Sequence, residues 1–225
     1  MLNLKDKVVL ITGSSIGIGR YTAYEFAKEK AIVIITYYKD KEEAVKTYNT
    51  CINLGMSEGM VLYLNLKDNE SIKNCVKQVV DKYKRIDILI NNAGVLAWKP
   101  LRKQTFEEIE NQIRVNLEGL IKITKEALPY ITSTIINIGS GAGKTGFSEL
   151  TTYCATKFGV RGFTQALAQE EINLRIYTVN PGMTATRMTG YKGISPEIVA
   201  KVILNTAKGI YNKPSGSDID VWEFS

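Results

Sequence analysis

Tyr153 and Lys157 pair a phenol with an ammonium, a combination suited to proton transfer. They lie four positions apart, so on a helix their side chains would share one face, one turn apart. A free tyrosine titrates near pH ~10, and a lysine ammonium beside it in a water-poor cleft would lower the phenol pKa toward neutrality. Such a pair would exchange a proton with a substrate. The same spacing occurs at three further places, Tyr24/Lys28, Tyr37/Lys41 and Tyr63/Lys67, so context must identify the pair that matters.

The lack of histidine narrows the chemistry that the chain supports. Ser-His-Asp and Cys-His nucleophile systems and histidine-ligated metal sites are excluded, so acid–base chemistry falls to Tyr, Lys, Asp, Glu or Cys. The three cysteines, Cys51, Cys75 and Cys154, lie far apart and show no metal or redox spacing. We therefore expect reduced thiols in a cytoplasmic protein, and no metal site.

Length, composition and charge are those of an ordinary globular chain. Its 225 residues fit one domain spanning 1–225, and 44% hydrophobic residues supply a substantial core. No stretch approaches the ~20 uncharged apolar residues of a membrane span. Residues 1–7 run straight into the first predicted strand, so we expect no signal peptide. The net charge of +6 is spread along the chain without a basic block rich in aromatics, so a solvated surface is favoured over nucleic-acid binding.

Apolar runs alternate with segments of helical periodicity. Strands are predicted at residues 7–12, 32–36, 60–64, 86–90, 134–138, 174–179 and 218–222. Helices are predicted at residues 20–30, 42–54, 71–83, 105–131 (one or two helices), 152–171 and 195–210. This order predicts an α/β fold, a doubly wound parallel sheet in a single domain, with ligands outside the carboxyl ends of the strands.

A glycine-rich segment, TGSSIGIG at residues 12–19, joins the first predicted strand to the first helix. Gly13 permits a tight turn and Gly17 a close approach to a pyrophosphate, while Gly19 allows close helix packing. The helix N-terminus would then face the phosphates of a dinucleotide. The alternative is a glycine-rich turn without a ligand. A second glycine-rich segment at residues 139–145 is not a P-loop, because its spacing is one residue short.

Five motifs in this order resemble those of the short-chain dehydrogenase/reductase family. The glycine-rich segment matches the family's TGxxxGxG, and residues 91–94 match its NNAG. Ser140 precedes Tyr153 by thirteen residues, which is the family's usual separation. The other matches are Asn116 in RVNL, and Asn180-Pro181-Gly182 with Thr184 and Thr186. The resemblance covers nearly the whole chain and implies a Rossmann fold that transfers a hydride between a nicotinamide cofactor and a carbonyl or secondary alcohol.

The resemblance also implies residue roles. Tyr153 would be the general acid and base, and Lys157 would lower its pKa and hold the nicotinamide ribose. Ser140 would hydrogen-bond the substrate oxygen, and Asn116 would anchor a water that links Lys157 to solvent. The alternatives are that Ser140 only caps a strand end and that Asn116 only bonds the backbone.

A cofactor site is implied by the same matches. Its expected residues are Gly13, Ser14, Ser15, Ile16, Gly17, Ile18, Gly19, Tyr38, Lys39, Asn65, Leu66, Asn92, Ala93, Gly94, Tyr153, Lys157, Pro181, Gly182, Thr184 and Thr186. Lys39, just after the second strand, favours NADP over NAD, although Asp40 next to it weakens that preference. Family members often carry a second basic residue at the position of Ile16, and Arg20 is a candidate substitute.

The substrate region departs from many relatives. Residues 131–133 and 171–173 are predicted as clipped loops. The segment at residues 183–194 is also short, which indicates an open pocket or a substrate partly covered by a partner subunit. Trp98, Phe147, Met188 and Tyr191 are candidate wall residues for a small carbonyl or alcohol substrate. The family's acyl-carrier-protein reductases often carry a basic residue near Gln169, so its absence disfavours that substrate.

Small residues in the helix at 152–171 allow close helix approach and predict a homodimer or homotetramer. Two other functions stay open. The first is a catalytically silent dinucleotide sensor, against which the intact Ser140, Tyr153 and Lys157 set argues. The second is a sugar-nucleotide epimerase or dehydratase, which the short segment after Gly182 disfavours.

Overall fold

The centre of the molecule is a parallel sheet of seven strands. The computed structural model describes residues 2–224. Its strands are β1 (Val8–Ile11), β2 (Ile32–Tyr37), β3 (Glu58–Tyr63), β4 (Ile86–Asn91), β5 (Ile131–Ile138), β6 (Arg175–Asn180) and β7 (Asp218–Asp220). They lie in the order β3-β2-β1-β4-β5-β6-β7, and each neighbouring pair is parallel. The strand order reverses beside β1, which places a ligand crevice at the carboxyl ends of β1 and β4.

Helices cover both faces of the sheet. They are α1 (Gly17–Lys28), α2 (Lys41–Asn53), α3 (Asn69–Tyr83), α4 (Phe106–Ile113), α5 (Leu120–Ala127), α6 (Thr151–Glu170) and α7 (Pro196–Lys208). Val9 and Ile11 of β1 join a core with α1, α2 and α7, while Val8 and Leu10 join a second core with α3, α5 and α6. The predicted doubly wound Rossmann fold is therefore confirmed. Within residues 2–224, no helix has the length and apolarity that a bilayer crossing requires.

The helical region predicted at 105–131 is interrupted. A π-helical turn, Arg114–Gly119, separates α4 from α5. A 3-10 turn at Leu128–Tyr130, which contains a proline, then ends the helical run. Ile131 already pairs with Ile86 in the sheet, so the loop predicted at 131–133 is wrong and β5 begins three residues before the predicted start. The last strand is also shorter than predicted, because Val221–Glu223 form a 3-10 turn.

Two glycines let the π-helical turn lie close to its neighbours. A β-carbon placed on Gly119 would lie 2.7 Å from the Leu66 carbonyl oxygen, and one on Gly159 of α6 would lie 2.9 Å from Cδ2 of Leu117. Such distances are too short for real carbon contacts, so any larger residue would push these segments apart. The close approach fixes where Asn116, in the same turn, meets the end of β4.

Buried amide side chains connect the two central strands to the helices above them. Asn91 of β4 donates from Nδ2 to Asn137 Oδ1 of β5 and to Thr124 Oγ1 of α5, both at 2.8 Å. Asn137 in turn donates to Thr164 Oγ1 of α6 at 2.9 Å. Because buried polar groups are costly without partners, these bonds select one arrangement of α5 and α6 over the sheet. They thereby set the position of the helix that carries Tyr153 and Lys157.

A carboxylate joins three strands at the opposite, amino edge of the sheet. Asp87 of β4 is buried and accepts hydrogen bonds from the Val8 amide at 2.8 Å, from Arg85 at 2.9 Å and from Thr132 Oγ1 at 2.8 Å. Burial alone would raise its pKa, but these bonds and the charge of Lys7 hold the pKa below its usual value. β1, β4 and β5 are thus joined far from the ligand crevice.

Candidate active site

One cleft of about 830 Å³ runs along the carboxyl ends of the strands. Residues that follow each of the strands β1 to β6 line it, which is where a doubly wound sheet binds its ligands. The predicted residues that line it are Gly13, Ser15, Ile16, Gly17, Ile18, Tyr38, Lys39, Asn65, Leu66, Asn92, Ala93, Gly94, Ser140, Tyr153, Lys157, Pro181, Gly182, Thr184 and Thr186.

The glycine-rich turn forms one end of the cleft. Gly13 has φ +64°, and a β-carbon on it would lie 2.9 Å from Cα of Ala93, so this position requires glycine. Gly17, with φ +59°, begins α1 after the extended residue Ile16. Among the described residues, no side-chain oxygen caps this helix, and its first turn carries no acid. Its amide groups are therefore free to meet an anion, which fits a dinucleotide pyrophosphate.

Ser14 and Gly19 lie beneath this turn and do not line the cleft. The Ser14 hydroxyl donates to the Ile11 carbonyl and accepts from the Thr36 amide, both at 2.9 Å. A β-carbon on Gly19 would lie 2.5 Å from the Gly13 carbonyl oxygen. Ser14 thus holds the turn on β1 and β2, and Gly19 allows the helix to pack on it, while contact of either residue with a cofactor stays a prediction.

The NNAG segment holds the turn from the other side. Asn92 donates from Nδ2 to the carbonyls of Thr12 and Gly13, at 2.9 and 3.0 Å. The Thr12 hydroxyl accepts from the amides of Asn92 and Ala93. The ends of β1 and β4 therefore form one hydrogen-bonded unit at the centre of the crevice.

Tyr153 and Lys157 lie one turn apart on α6, with the Lys157 Nζ atom 5.6 Å from the Tyr153 ring centre. Lys157 is buried, and burial lowers its pKa to about 8. Burial also raises the pKa of Tyr153 to about 12, while the nearby Ser140 hydroxyl acts in the opposite direction. The Tyr153 pKa is thus raised where the sequence predicted a lowering, because the effect of burial exceeds that of the Ser140 hydroxyl. The Lys157 ammonium donates to the Ile138 carbonyl at 2.7 Å.

Ser140 follows β5 and is held through its backbone. Its amide donates to Asn180 Oδ1 at 3.1 Å, and Asn180 donates to Asp220 Oδ1 at 2.9 Å. Lys144 forms an ion pair with the same carboxylate. The Ser140 hydroxyl accepts from the Ala142 amide at 3.1 Å, so it caps a 3-10 turn, and it also lines the cleft.

Asn116 is withdrawn from the cleft. Its Oδ1 accepts from the Val95 amide at 2.7 Å, and its Nδ2 donates to the Val95 carbonyl at 2.8 Å and to Thr156 Oγ1 at 3.3 Å. Its side chain thus makes the backbone bonds that the sequence offered as the alternative, while its role as the anchor of a relay water stays a prediction. It joins the chain after β4 to α6.

The charges around the end of β2 differ from the expectation in two ways. Arg20 bonds the Ser15 carbonyl and pairs with Glu43 at 2.6 Å, so it turns away from the cleft and the prediction that it substitutes for a basic loop residue is wrong. Arg187, which sequence reasoning missed, lines the cleft and pairs with Asp40 at 3.2 Å. The sequence signal that could have identified Arg187 is its position directly after Thr186, in a segment already assigned to the cofactor.

Apolar side chains surround the substrate end of the cleft. Trp98, Phe147 and Met188 line it and are each about half exposed. Tyr191 lies outside the lining and is largely exposed, so it is not a wall residue. The short segment after Gly182 closes on itself, because the Ile194 amide donates to the Met183 carbonyl at 3.0 Å.

This fold and cleft define a dinucleotide-binding protein with a Tyr–Lys pair beside the site. The family model of short chain dehydrogenases matches residues 7–195, and the chain belongs to that family.

Two curated relatives and one solved structure show how close the likeness is. The chain is 37% identical over 214 residues to the 3-oxoacyl-[acyl-carrier-protein] reductase of Haemophilus influenzae, covering 92% of this chain and 85% of the relative. It is 32% identical to the NADP-dependent 3-hydroxy acid dehydrogenase of Schizosaccharomyces pombe, covering 91% and 88%. A short chain dehydrogenase from Burkholderia cenocepacia, solved in complex with NADP, superposes with a TM-score of 0.91 at 25% identity, covering 97% of each chain.

Proposed function

We propose that this protein is an NADP(H)-dependent oxidoreductase that interconverts a carbonyl compound and a secondary alcohol. The observation that carries the proposal is the meeting of Ser140, Tyr153 and Lys157 at one end of a cleft whose other end is the uncapped N-terminus of α1. The membership of the short-chain dehydrogenase family supports it.

The residues of the cleft fit a nicotinamide dinucleotide along its length. The amides at the start of α1 would hold the pyrophosphate, and Gly17 would let it approach. Asn65 and Leu66 would border the adenine, and Lys157 would hold the nicotinamide ribose. When bound, the nicotinamide would supply or accept the hydride. Thr184, Thr186 and the Pro181–Gly182 turn would cover it, since they line the same cleft.

Tyr153 is proposed as the group that moves the proton. Because its pKa is raised, the phenol is protonated at neutral pH and can donate to a carbonyl oxygen as that oxygen gains charge. The Lys157 ammonium near the ring would stabilise the phenolate left behind. The Ser140 hydroxyl would donate to the same substrate oxygen. Asn116 is proposed as a positioning residue that holds the Val95 backbone against α6.

NADP is proposed over NAD because Lys39 lines the cleft just after β2, where the adenosine ribose would lie. The Schizosaccharomyces relative is named NADP-dependent, and the Burkholderia structure holds NADP. Both observations favour the same cofactor.

Small carbonyl or alcohol compounds are the proposed substrates, since the walls formed by Trp98, Phe147 and Met188 are apolar and the cleft is open. A carrier-bound 3-oxoacyl chain is the second candidate, favoured by the similarity to the 3-oxoacyl-[acyl-carrier-protein] reductase of Haemophilus influenzae. The uncharged Gln169 disfavours it. Both classes of substrate should be tested in the same panel.

The oligomeric state and location are part of the proposal. Ala155, Gly162 and Ala166 form an exposed stripe on α6, and a β-carbon on Gly162 would meet nothing within 4 Å. Gly159 does not belong to this stripe, because it packs on Leu117 of the same chain. We propose a homodimer or homotetramer built on this helix, in the cytoplasm. All three thiols are buried, which suits a reduced protein.

The decisive experiment is a carbonyl and alcohol panel with NADPH and NADH, followed at the nicotinamide absorbance. Tyr153→Phe is expected to keep cofactor binding and to lose nearly all turnover, because only the proton donor is removed. Tyr24→Phe, which has the same spacing to a lysine but lies on α1 outside the cleft, is the matched control and should keep full activity.

Full activity in Tyr153→Phe would reject the proposed acid. Cofactor binding without turnover of any substrate would favour the silent sensor instead.

A further inference from the structure

The segment that follows β6 crosses the cleft and contacts the opposite side. Thr186 lies over the glycine-rich turn, since a β-carbon on Gly17 would come within 3.4 Å of its Cγ2 atom. Arg187 then reaches the connection between β2 and α2, where its Nη1 atom lies 3.3 and 3.2 Å from the two carboxylate oxygens of Asp40. The segment therefore brings a guanidinium to the end of β2, beside Lys39.

Arg187 projects from a fixed turn. The Thr189 hydroxyl donates to the Thr184 carbonyl at 2.5 Å and accepts from the Thr186 amide at 3.2 Å. The Tyr191 amide donates to the Thr186 carbonyl at 2.8 Å. These bonds close the turn on both sides of Arg187, so its backbone position is set before any ligand arrives.

The charges at this end of the cleft suit a phosphate. Lys39, Asp40 and Arg187 all line it, and together they carry one net positive charge. The Arg187–Asp40 pair is exposed, with side-chain exposures of 58% and 35%, and an exposed ion pair contributes little to stability. A phosphate monoester carries about two negative charges at neutral pH and binds a guanidinium through two parallel hydrogen bonds. It would compete well with Asp40 for Arg187.

We propose that Arg187 exchanges Asp40 for the 2′-phosphate of NADP(H), so that this pair sets the preference between the two nicotinamide cofactors. Asp40 competes with the phosphate for Arg187, and it can accept a hydrogen bond from the ribose hydroxyls of the unphosphorylated cofactor. Lys39 acts beside Arg187 as a point charge, whereas the planar guanidinium provides the directional contact. This inference rests on the proposed function of the cleft.

The test measures nucleotide binding by calorimetry on the full chain, without turnover. Adenosine 2′,5′-bisphosphate and adenosine 5′-phosphate differ only in the 2′-phosphate. Arg187→Gln is expected to weaken the bisphosphate by about tenfold or more and to leave the monophosphate within about twofold, because charge-assisted bonds are lost to one ligand only. Asp40→Asn is expected to tighten the bisphosphate severalfold. Lys192→Gln, which removes an exposed charge from the same segment, is the matched control.

Equal weakening of the binding of both nucleotides by Arg187→Gln would overturn the inference. The Arg187–Asp40 pair would then only hold the segment after β6 over the cleft. No weakening of either would also overturn it. NADPH and NADH are titrated into the wild-type chain in the same series. Binding of NADH but of no 2′-phosphorylated nucleotide would reject this inference and the proposed NADP preference, yet keep the oxidoreductase. Binding of neither cofactor would reject the proposed function itself. Circular dichroism of each variant confirms folding.

Discussion

The Lys157 ammonium donates a 2.7 Å hydrogen bond to the carbonyl of Ile138, the last residue of β5. This bond joins the middle of α6 to the strand that precedes Ser140, so the lysine holds the site together as well as supplying charge. It also keeps a cation in a buried place, and burial lowers the pKa of that amine to about 8. The buried ammonium therefore lowers the stability of the folded chain, at a position where the proposed chemistry needs a positive charge.

The cost of this buried cation predicts a pH dependence of stability. Because the folded pKa of Lys157 lies below its unfolded value of 10.5, the unfolded chain binds more protons between about pH 8 and 10.5. Wild-type stability from this group therefore rises with pH across that window. Lys157→Met has no such group, so its free energy of unfolding relative to wild type should fall by about 3 kcal/mol from pH 7.5 to 10.5.

Urea unfolding of both proteins at several pH values measures this difference. Lys201→Met, an exposed lysine on α7, is the control and should show a flat difference. A flat difference for Lys157→Met would mean that the buried amine titrates as it does in the unfolded chain.

Gly13 is the position where the cofactor turn least tolerates a side chain. Gly13→Ala would place a methyl 2.9 Å from the Ala93 backbone at φ +64°, so we expect a loss of about 1–3 kcal/mol of stability and weaker dinucleotide binding. Gly146→Ala is the matched control, because its β-carbon would meet nothing within 4 Å. Thermal unfolding and NADPH titration measure both effects. Unchanged NADPH affinity in a stable Gly13→Ala protein would show that the turn does not hold the cofactor.

Asp220 is expected to act on the reaction through Ser140. It accepts from Asn180, whose Oδ1 holds the Ser140 amide, so Asp220→Ala frees the asparagine to turn. We expect kcat to fall by about tenfold or more, because small displacements of a reacting group are costly, while NADPH affinity changes little. Asp220→Asn keeps an acceptor oxygen and should restore much of kcat. A general loss of folded protein in both variants, or an equal effect on cofactor affinity, would indicate a structural role alone.

The sequence predicted the fold well because the periodicities are local. Buried parallel strands such as Ile32–Tyr37 are continuous apolar runs, and the helices between them carry their own apolar spacing. The π-helical turn at Arg114–Gly119 was missed because packing against Leu66 and α6 produces it, and no local signal marks it. The start of β5 was missed for a similar reason: only pairing with Ile86 makes Ile131 a strand residue.

The candidate site shows the same division. The order of the motifs predicted that Ser140, Tyr153 and Lys157 lie in one cleft, and all three line it. Their catalytic roles stay predictions until the variants are measured. The direction of the Tyr153 pKa shift was not predictable from spacing, because it depends on burial. The pairing of Arg187 with Asp40, far away in sequence, likewise appears only in three dimensions.

The carboxylate of Asp87 stabilises the sheet at the end opposite the cleft. It fastens β1, β4 and β5 at their amino ends, whereas every residue proposed to handle ligand lies at the carboxyl ends. Changes of substrate preference can therefore accumulate in the loops around the cleft without loosening the anchor, and reinforcement of the anchor should leave catalysis untouched. The residues that stabilise the sheet and the residues around the cleft lie at opposite ends of the same strands, so a designer can alter one set without the other.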